Sequence, residues 1–451
     1  MQEGAPESEG PPSRPEAPAG GRLGANYRKL VAAAGISNLG DGIGTVAYPW
    51  LASAVTRSPL LISVIVVAQR LPWLFFSLPA GVITDRYDRA RIMVAANVAR
   101  AALTLAVALV VLGRQGELPS PDEIDALGVG DGGTEVSLYL VVLAATLLLG
   151  MAEVLFDNAN QTFLPHVVDE SQLEKANGRL WSVELIGNSF VGPPLGAFLL
   201  VGVFALPFFV DAATFAVSAG LIAAITVRRP PESTGPARSS MLADIKEGFT
   251  WLWNHEFLRG LAIILGLLNM VSTMGMTILV LFAQEVLETS PTEFALLSIG
   301  SAVGGVIGGW TASTISDRLG PGPSLWLTLG GGGLVSLVIA FASSWVLVTV
   351  MFALFMLLAI LWNVITVSLR QTIIPDHLLG RVNSVYRFFA WGMMPIGALA
   401  GGLLVAIVEG VADRSLALRS PWIAAAIGQL LLLAFAGPKL TTARIEAARA
   451  G

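Results

Sequence analysis

The chain has no cysteine in 451 residues, which excludes disulfides, thiolate metal sites and cysteine nucleophiles together. Charge is the next scarcity. Only 13% of the residues are Asp, Glu, Lys or Arg, against about 25% in a soluble globular domain. Histidine is scarce as well: His166, His255 and His377 lie far apart and fall in expected loops, so no histidine metal site is expected. A Gly-x-Ser-x-Gly elbow and a phosphate-binding glycine loop are both absent, which argues against an enzyme and against ATP-driven pumping by this chain. No basic tract points to nucleic acid, and the net charge is only −5. Residues 1–26 lack an apolar signal-peptide core. Their Pro, Gly, Glu and Ala content reads as a disordered cytoplasmic tail, not a cleaved leader.

What fills the chain is apolar: 54% hydrophobic residues, with a mean hydropathy of +0.71. So little charge cannot cover a water-facing surface of this size, so the expected solvent is lipid. Stretches long enough to cross a bilayer fall near 29–55, 59–83, 92–113, 136–158, 179–202, 206–227, 258–284, 293–315, 324–341, 344–369, 382–408 and 419–437. The reading is an all-α membrane protein of twelve transmembrane helices, with both termini on one side. Twenty of the 27 basic residues fall on that side, and only Arg57, Arg114, Arg414 and Arg419 in the opposite loops. By the positive-inside rule both termini are expected to be cytoplasmic. Residues 114–135 form a long outer loop with six acids. Residues 228–257 begin with Arg-Arg-Pro-Pro and continue as an amphipathic segment, with Leu242, Ile245, Phe249 and Leu252 on one face. This linker divides a first half (27–227) from a second (258–440), with a short tail at 441–451.

The halves echo each other. Gln161-Thr162-Phe163-Leu164-Pro165 follows span four and Gln371-Thr372-Ile373-Ile374-Pro375 follows span ten. Lys175-Ala176-Asn177-Gly178 is answered by Arg381-Val382-Asn383-Ser384, and Thr84-Asp85-Arg86 by Ser316-Asp317-Arg318. Same-order recurrence predicts two pseudo-symmetric six-helix bundles related about the membrane normal.

The loop after span two, Gly81-Val82-Ile83-Thr84-Asp85-Arg86-Tyr87-Asp88-Arg89-Ala90-Arg91, resembles the signature of the major facilitator superfamily. Asp88 stands where a later Gly is usual, a departure similar to the efflux branch with macrolide, tetracycline and enterobactin exporters. Gly187-x-x-x-Val191-Gly192-Pro193-Pro194-Leu195-Gly196 in span five resembles the Gly-Pro motif of the family's antiporters, although Ala197 replaces a common final Gly. Ser37-Asn38-Leu39-Gly40-Asp41 and Phe208-Phe209-Val210-Asp211-Ala212 also look like that branch. The resemblance implies an alternating-access transporter in the cell membrane, a monomer with no cofactor beyond the proton gradient, exporting a lipophilic small molecule. Gly81, Asp85, Arg86, Arg89, Arg91, Gly192, Pro193 and Gly196 are then the conformational motif. On physical grounds, Gly81 admits a close neighbouring helix, and Asp85 suits a helix N-terminus across the half–half boundary. Pro193 and Pro194 should kink span five. Gly300, Gly304 and Gly308 in span eight read as close helix packing.

Ionisable groups inside the membrane are costly and mark function or pairing. Asp41 and Arg70 fall near mid-bilayer. Arg100, Glu153, Asp157 and Glu184 lie in the cytoplasmic third, and Asp211 is expected near the outer side with a structural role. Glu153 and Asp157 are four apart and share a helix face. All of these belong to the first half, which is therefore expected to carry proton coupling, while the second frames the path. Asp41, then Glu153, Asp157 and Glu184, are the candidate proton carriers, with Arg70 and Arg100 as counter-charges; a static ion-pair network is the competing reading. Trp50, Phe156, Trp181, Trp362 and Phe388 are candidates to line a broad apolar cavity. Two readings stay open: a proton-coupled exporter of drugs or lipophilic natural products, and a dedicated exporter of one metabolite such as a siderophore. More basic residues in the cavity would favour the second.

Overall fold

A computed structural model of the chain describes residues 23–114, 116–119, 134–169, 172–226 and 241–450. The N-terminal tail, the acidic stretch of the loop at 114–135 and the first part of the linker fall mostly outside these residues. Every regular element described is helical, as a bilayer requires of a chain whose backbone groups must be satisfied within each segment.

In the first half, α1 is Ala25–Val55, α2 Pro59–Phe75, α3 Ser77–Arg86, α4 Arg89–Gly113 and α5 Val136–Phe163. There follow α6 Leu173–Leu185, a π-helical turn Ile186–Val191, α7 Gly192–Gly202 and α8 Leu206–Ala223. The linker helix α9 is Met241–Asn254. The second half holds α10 Glu256–Thr277, α11 Leu279–Glu285, α12 Pro291–Leu319, α13 Pro321–Phe341, α14 Trp345–Ile373, α15 Asp376–Glu409 and α16 Arg414–Ala436, and α17 Thr442–Ala450 closes the chain. Among the described residues, eleven helical stretches are long and apolar enough to cross a membrane. The expected second span instead splits into α2 and α3. Pro79 explains the break: its ring clashes with the carbonyl four residues back, at Phe75, where α2 ends. In the new helix Pro79 sits in the first turn, where no amide donor is needed.

Span five answers its prolines differently. Pro193 and Pro194 contribute no amide donors, and the chain widens into the π-turn Ile186–Val191 just before them. That turn lies against α1, and a Cβ added to Gly192 would stand 2.5 Å from the Cα of Gly42. Two glycines thus let α1 and α7 cross backbone to backbone. In the second half Gly304 lies directly on the Ala353 carbonyl of α14, with Gly300 and Gly308 on Thr349 and Leu357, so this stripe is helix packing.

The two halves share one packing plan. α4 packs on α8 as α13 does on α16, and α2 on α5 as α12 does on α14; likewise α1 meets α8 and α7 as α10 meets α16 and α15. The halves meet where α2 lies on α15 and α7 on α12. The echoed motifs do equivalent local work. The Thr162 hydroxyl donates to Asn158 and Ala159 carbonyls, and Thr372 donates to Ser368 and Leu369 in the same register. Leu164 and Ile374 are both buried, as are Ala176 and Val382. The amphipathic segment of the linker forms α9, and its Gly248 and Leu252 face docks on α15, tied by an Arg381–Glu247 ion pair. Below, the end where α1 begins and α16 finishes is the terminal end, and the opposite one the far end.

Candidate transport site

A cavity of about 1330 Å³ lies between the halves and draws its walls from both. On the first-half wall it gathers Asp41 of α1, Arg70 of α2, Arg100 of α4, Glu153 and Asp157 of α5, Glu184 of α6 and Asp211 of α8. Five carboxylates and two guanidiniums from six helices thus face one space. Asp41 and Arg100 form an ion pair. The Arg100 guanidinium also stacks 3.9 Å from the Phe215 ring centroid, which holds the buried cation in place. Asp211, expected to have a structural role, also faces this space. It is buried in this wall, with its Oδ1 lacking a hydrogen-bond partner among the described residues. It reaches the cavity because Gly40 and Gly44 of α1 leave room: a Cβ on Gly40 would collide with that oxygen.

The second-half wall is apolar and amide-bearing over most of its area, with Phe355, Met356, Trp362, Asn363, Asn269 and Trp391. Of the expected cavity aromatics, Phe156 and Trp362 line the space. Trp50 is fully buried and packs edge-on at 6.5 Å to Phe294 in the core. Trp181 and Phe388 are exposed side chains outside the cavity. The second half, expected to frame the path, also brings charge to the cavity. Arg370 and Arg387 both line the wall. Arg370 lies one residue beyond the expected end of span ten at 369, because α14 continues to Ile373.

The loop motif after α2 has a partly different use from the one expected. A Cβ on Gly81 would meet nothing within 4 Å among the described residues, so no close helix contact is seen there. The Asp85 side chain lies outside the described residues, and Arg86 is exposed. Asp88, the departure from the usual pattern, caps α4 by accepting from the Arg91 amide at 3.0 Å. Arg89 reaches the His166 ring at 2.9 Å, fastening this loop to the end of α5. Gly192, Pro193 and Gly196 are buried at the α1–α7 crossing described above.

At the far end the halves are bolted together. Arg57, between α1 and α2, donates to Gln284 Oε1 at 2.7 Å and to Glu285 Oε1 at 2.5 Å. Arg414, at the start of α16, donates to Glu285 Oε2 at 2.8 Å, to Glu409 at 2.9 Å and to the Arg57 carbonyl at 2.9 Å. Gln284 Nε2 completes the set by donating to Ser53 Oγ of α1 at 3.0 Å. Sequence reasoning did not single out these residues. The available signal was that Arg57 and Arg414 are two of only four basic residues on the positive-poor side.

Two halves with equivalent packing, a cavity between them and a bolt at one end make a carrier, and the sequence comparison settles which kind. The chain belongs to the Major Facilitator Superfamily, whose family model matches residues 30–398. It is 28% identical over 399 residues to the multidrug efflux pump Tap of Mycobacterium tuberculosis, covering 84% of this chain and 85% of that protein. It is 26% identical over 411 residues to the enterobactin exporter EntS of Escherichia coli O1:K1, covering 90% and 91%. Among solved structures, the nucleoside transporter NupG superposes with a TM-score of 0.69 at 12% identity, over 92% of this chain and 99% of that one. Membership of the Major Facilitator Superfamily makes the protein a multi-pass membrane transporter of small molecules. The bundle halves and the interfaces of α2 with α15 and α7 with α12 are this superfamily's frame as this chain builds it.

Proposed function

We propose that the protein is a proton-coupled exporter of lipophilic small molecules, working by alternating access in the cell membrane as a monomer. The observation that carries this reading is the Asp41–Arg100 ion pair in the wall of a cavity shared by both halves. An acid held there can exchange a proton for its guanidinium partner as the surroundings change from wet to dry. Glu153, Asp157 and Glu184 on the same wall are its relay, and Arg70 a second counter-charge. The apolar second-half wall suits the body of a lipophilic cargo. Export is supported by the two relatives, one named a multidrug efflux pump and the other an enterobactin exporter. The bias of basic residues makes the terminal end cytoplasmic. The bolted far end then faces outward, and the conformation is the inward-facing one.

The test uses purified protein in proteoliposomes under an imposed pH gradient, with lumenal pH followed as ethidium, tetracycline or a macrolide is added. Substrate-triggered proton movement that Asp41→Asn abolishes, while substrate still binds, is the expected result. No proton movement with any compound refutes the proton-coupled reading; movement that survives in Asp41→Asn transfers the coupling role to Glu153. A second reading, dedicated export of one acidic metabolite such as a siderophore, gains from the four arginines that line the cavity. Drug-susceptibility profiling of a strain lacking the protein separates the two.

A further inference from the structure

Arg370 and Arg387 stand on a wall that has no carboxylate among its described lining residues. The Arg370 guanidinium lies 4.1 Å from the ring centroid of Tyr386, the residue next to Arg387, so the two cations and the phenol form one cluster. Arg370 spends its Nε on the Thr366 carbonyl of its own helix at 3.3 Å. Its terminal nitrogens have no hydrogen-bond partner among the described residues, and Arg387 has neither hydrogen bond nor ion pair among them. The Tyr386 hydroxyl is buried, and it too has no partner. Arg387 is exposed and Arg370 half-buried, so water reaches both cations and they are accessible to a ligand. The buried phenol, lacking a partner among the described residues, is costly until something satisfies it. A guanidinium fork recognises planar anions by paired hydrogen bonds, and a phenol adds one more donor.

We propose that Arg370, Arg387 and the Tyr386 hydroxyl form an anion-recognition subsite for the acidic group of an amphiphilic cargo, such as a carboxylate or an ionised phenol. The inference rests on the exporter reading above and deepens it. The first-half wall offers carboxylates and this one offers donors, so the cavity is polarised. An acidic group is drawn to the second half while the apolar body lies along Trp362 and Phe355. Because the cluster spans α14 and α15, a bound anion bridges two helices of the half whose described cavity lining holds no carboxylate. Cargo recognition and proton binding thereby sit on opposite walls.

The test compares two dyes that share a xanthene core and differ in charge: fluorescein, an anion near neutral pH, and rhodamine 123, a cation. The full-length protein is placed in phosphatidylcholine nanodiscs and binding is read by fluorescence anisotropy. Wild type is expected to bind fluorescein. Arg370→Gln and Arg387→Gln are each expected to weaken it by about tenfold or more, Tyr386→Phe by a few-fold, and Arg387→Lys much less. Rhodamine 123 is expected to bind all variants as well as wild type or better. Equal loss of both dyes makes the arginines structural or gating groups and overturns the proposal. So does rhodamine binding with no fluorescein binding by wild type, which leaves the exporter reading standing. Binding of neither dye removes the reading and the inference together. Displacement of fluorescein by equimolar dioctanoyl-phosphatidylglycerol makes the cluster a lipid-headgroup site, and also overturns it.

Discussion

Glu285→Gln is the sharpest probe of the bolt at the far end. Glu285 takes donors from Arg57 on one oxygen and Arg414 on the other, and the three side chains are only 12–15% exposed. Its neutral isostere keeps the volume but removes the carboxylate that both guanidiniums share, leaving Glu409 paired with Arg414. Removing one partner of a fully buried pair costs about 3–5 kcal/mol, whereas an exposed pair contributes at most about 1 kcal/mol. These groups lie between the limits, so about 2 kcal/mol is the working figure. The contacts exist only while the far end is closed, so the loss falls on that conformation and shifts the equilibrium toward opening by about 30-fold. The assay exploits the absence of cysteine. Ala52 of α1 lines the cavity and is buried, so Ala52→Cys is a background-free reporter for a membrane-impermeant maleimide added outside intact cells. Labelling should be slow in the parent and about an order of magnitude faster or more with Glu285→Gln added. A rate unchanged within twofold would show that the bolt does not govern closure, and the reasoning from partial burial would fall with it.

The Asp41–Arg100 pair should behave as a unit. Thermal unfolding in detergent is expected to show Asp41→Asn and Arg100→Gln each destabilising by about 3 kcal/mol, and the double variant much closer to wild type; additive losses would show that the pair is not coupled. Gly192→Leu should sharply lower folded yield and melting temperature, since even a Cβ there meets Gly42 Cα at 2.5 Å and overpacking costs about 1–3 kcal/mol. An unchanged melting temperature would mean the crossing is looser than described. At the linker helix, Leu252→Ala, which removes a side chain only 1% exposed, should cost about 2–4 kcal/mol. Breaking the more exposed Arg381–Glu247 pair with Glu247→Gln should cost under about 1 kcal/mol. Equal effects in the same melting assay would place the docking energy in charge rather than burial.

Hydropathy carried the helices because each span must be apolar along its whole length, and only the two interruptions escaped it. Pro79 predicts the break at Phe75 in hindsight through its clash four residues back. The break of span seven at Ile278 has no proline, and the buried Ile278 gives no sequence signal for it. The charged wall was legible for Asp41, Arg100, Glu153 and Asp157 because an ionisable residue deep in an apolar run is conspicuous. Arg370 was hidden by a boundary placed four residues short, whereas Asp211 was visible as an ionisable group in a span but its place in the cavity wall was not. Tertiary placement decided the rest. Nothing in the sequence distinguishes Trp50, buried against Phe294, from Trp362, which lines the cavity. Nor does the sequence show that Arg57, Glu285 and Arg414, drawn from residues 357 positions apart, meet at one point.

The repeat and its violations divide the labour of the fold. Equivalent helices pack on equivalent helices in both halves, and the echoed Thr162 and Thr372 make the same hydrogen bonds. A carrier that rocks about its centre needs two bodies of matching shape, so packing is where the halves agree. They disagree in the cavity. α1 and α10 hold equivalent places, yet α1 presents Asp41 while α10 presents Asn269, Ser272 and Thr273. Asn269 is already committed to the backbone, donating to the Ala390 carbonyl at 2.7 Å. Each ionisable group in a membrane interior carries a cost of about 2.5–3.5 kcal/mol on the insertion scale, so duplicating the acidic wall in the second half would double the burden. Chemistry therefore concentrates where the symmetry is broken, and the second half is left free to set its arginines toward whatever the cavity holds.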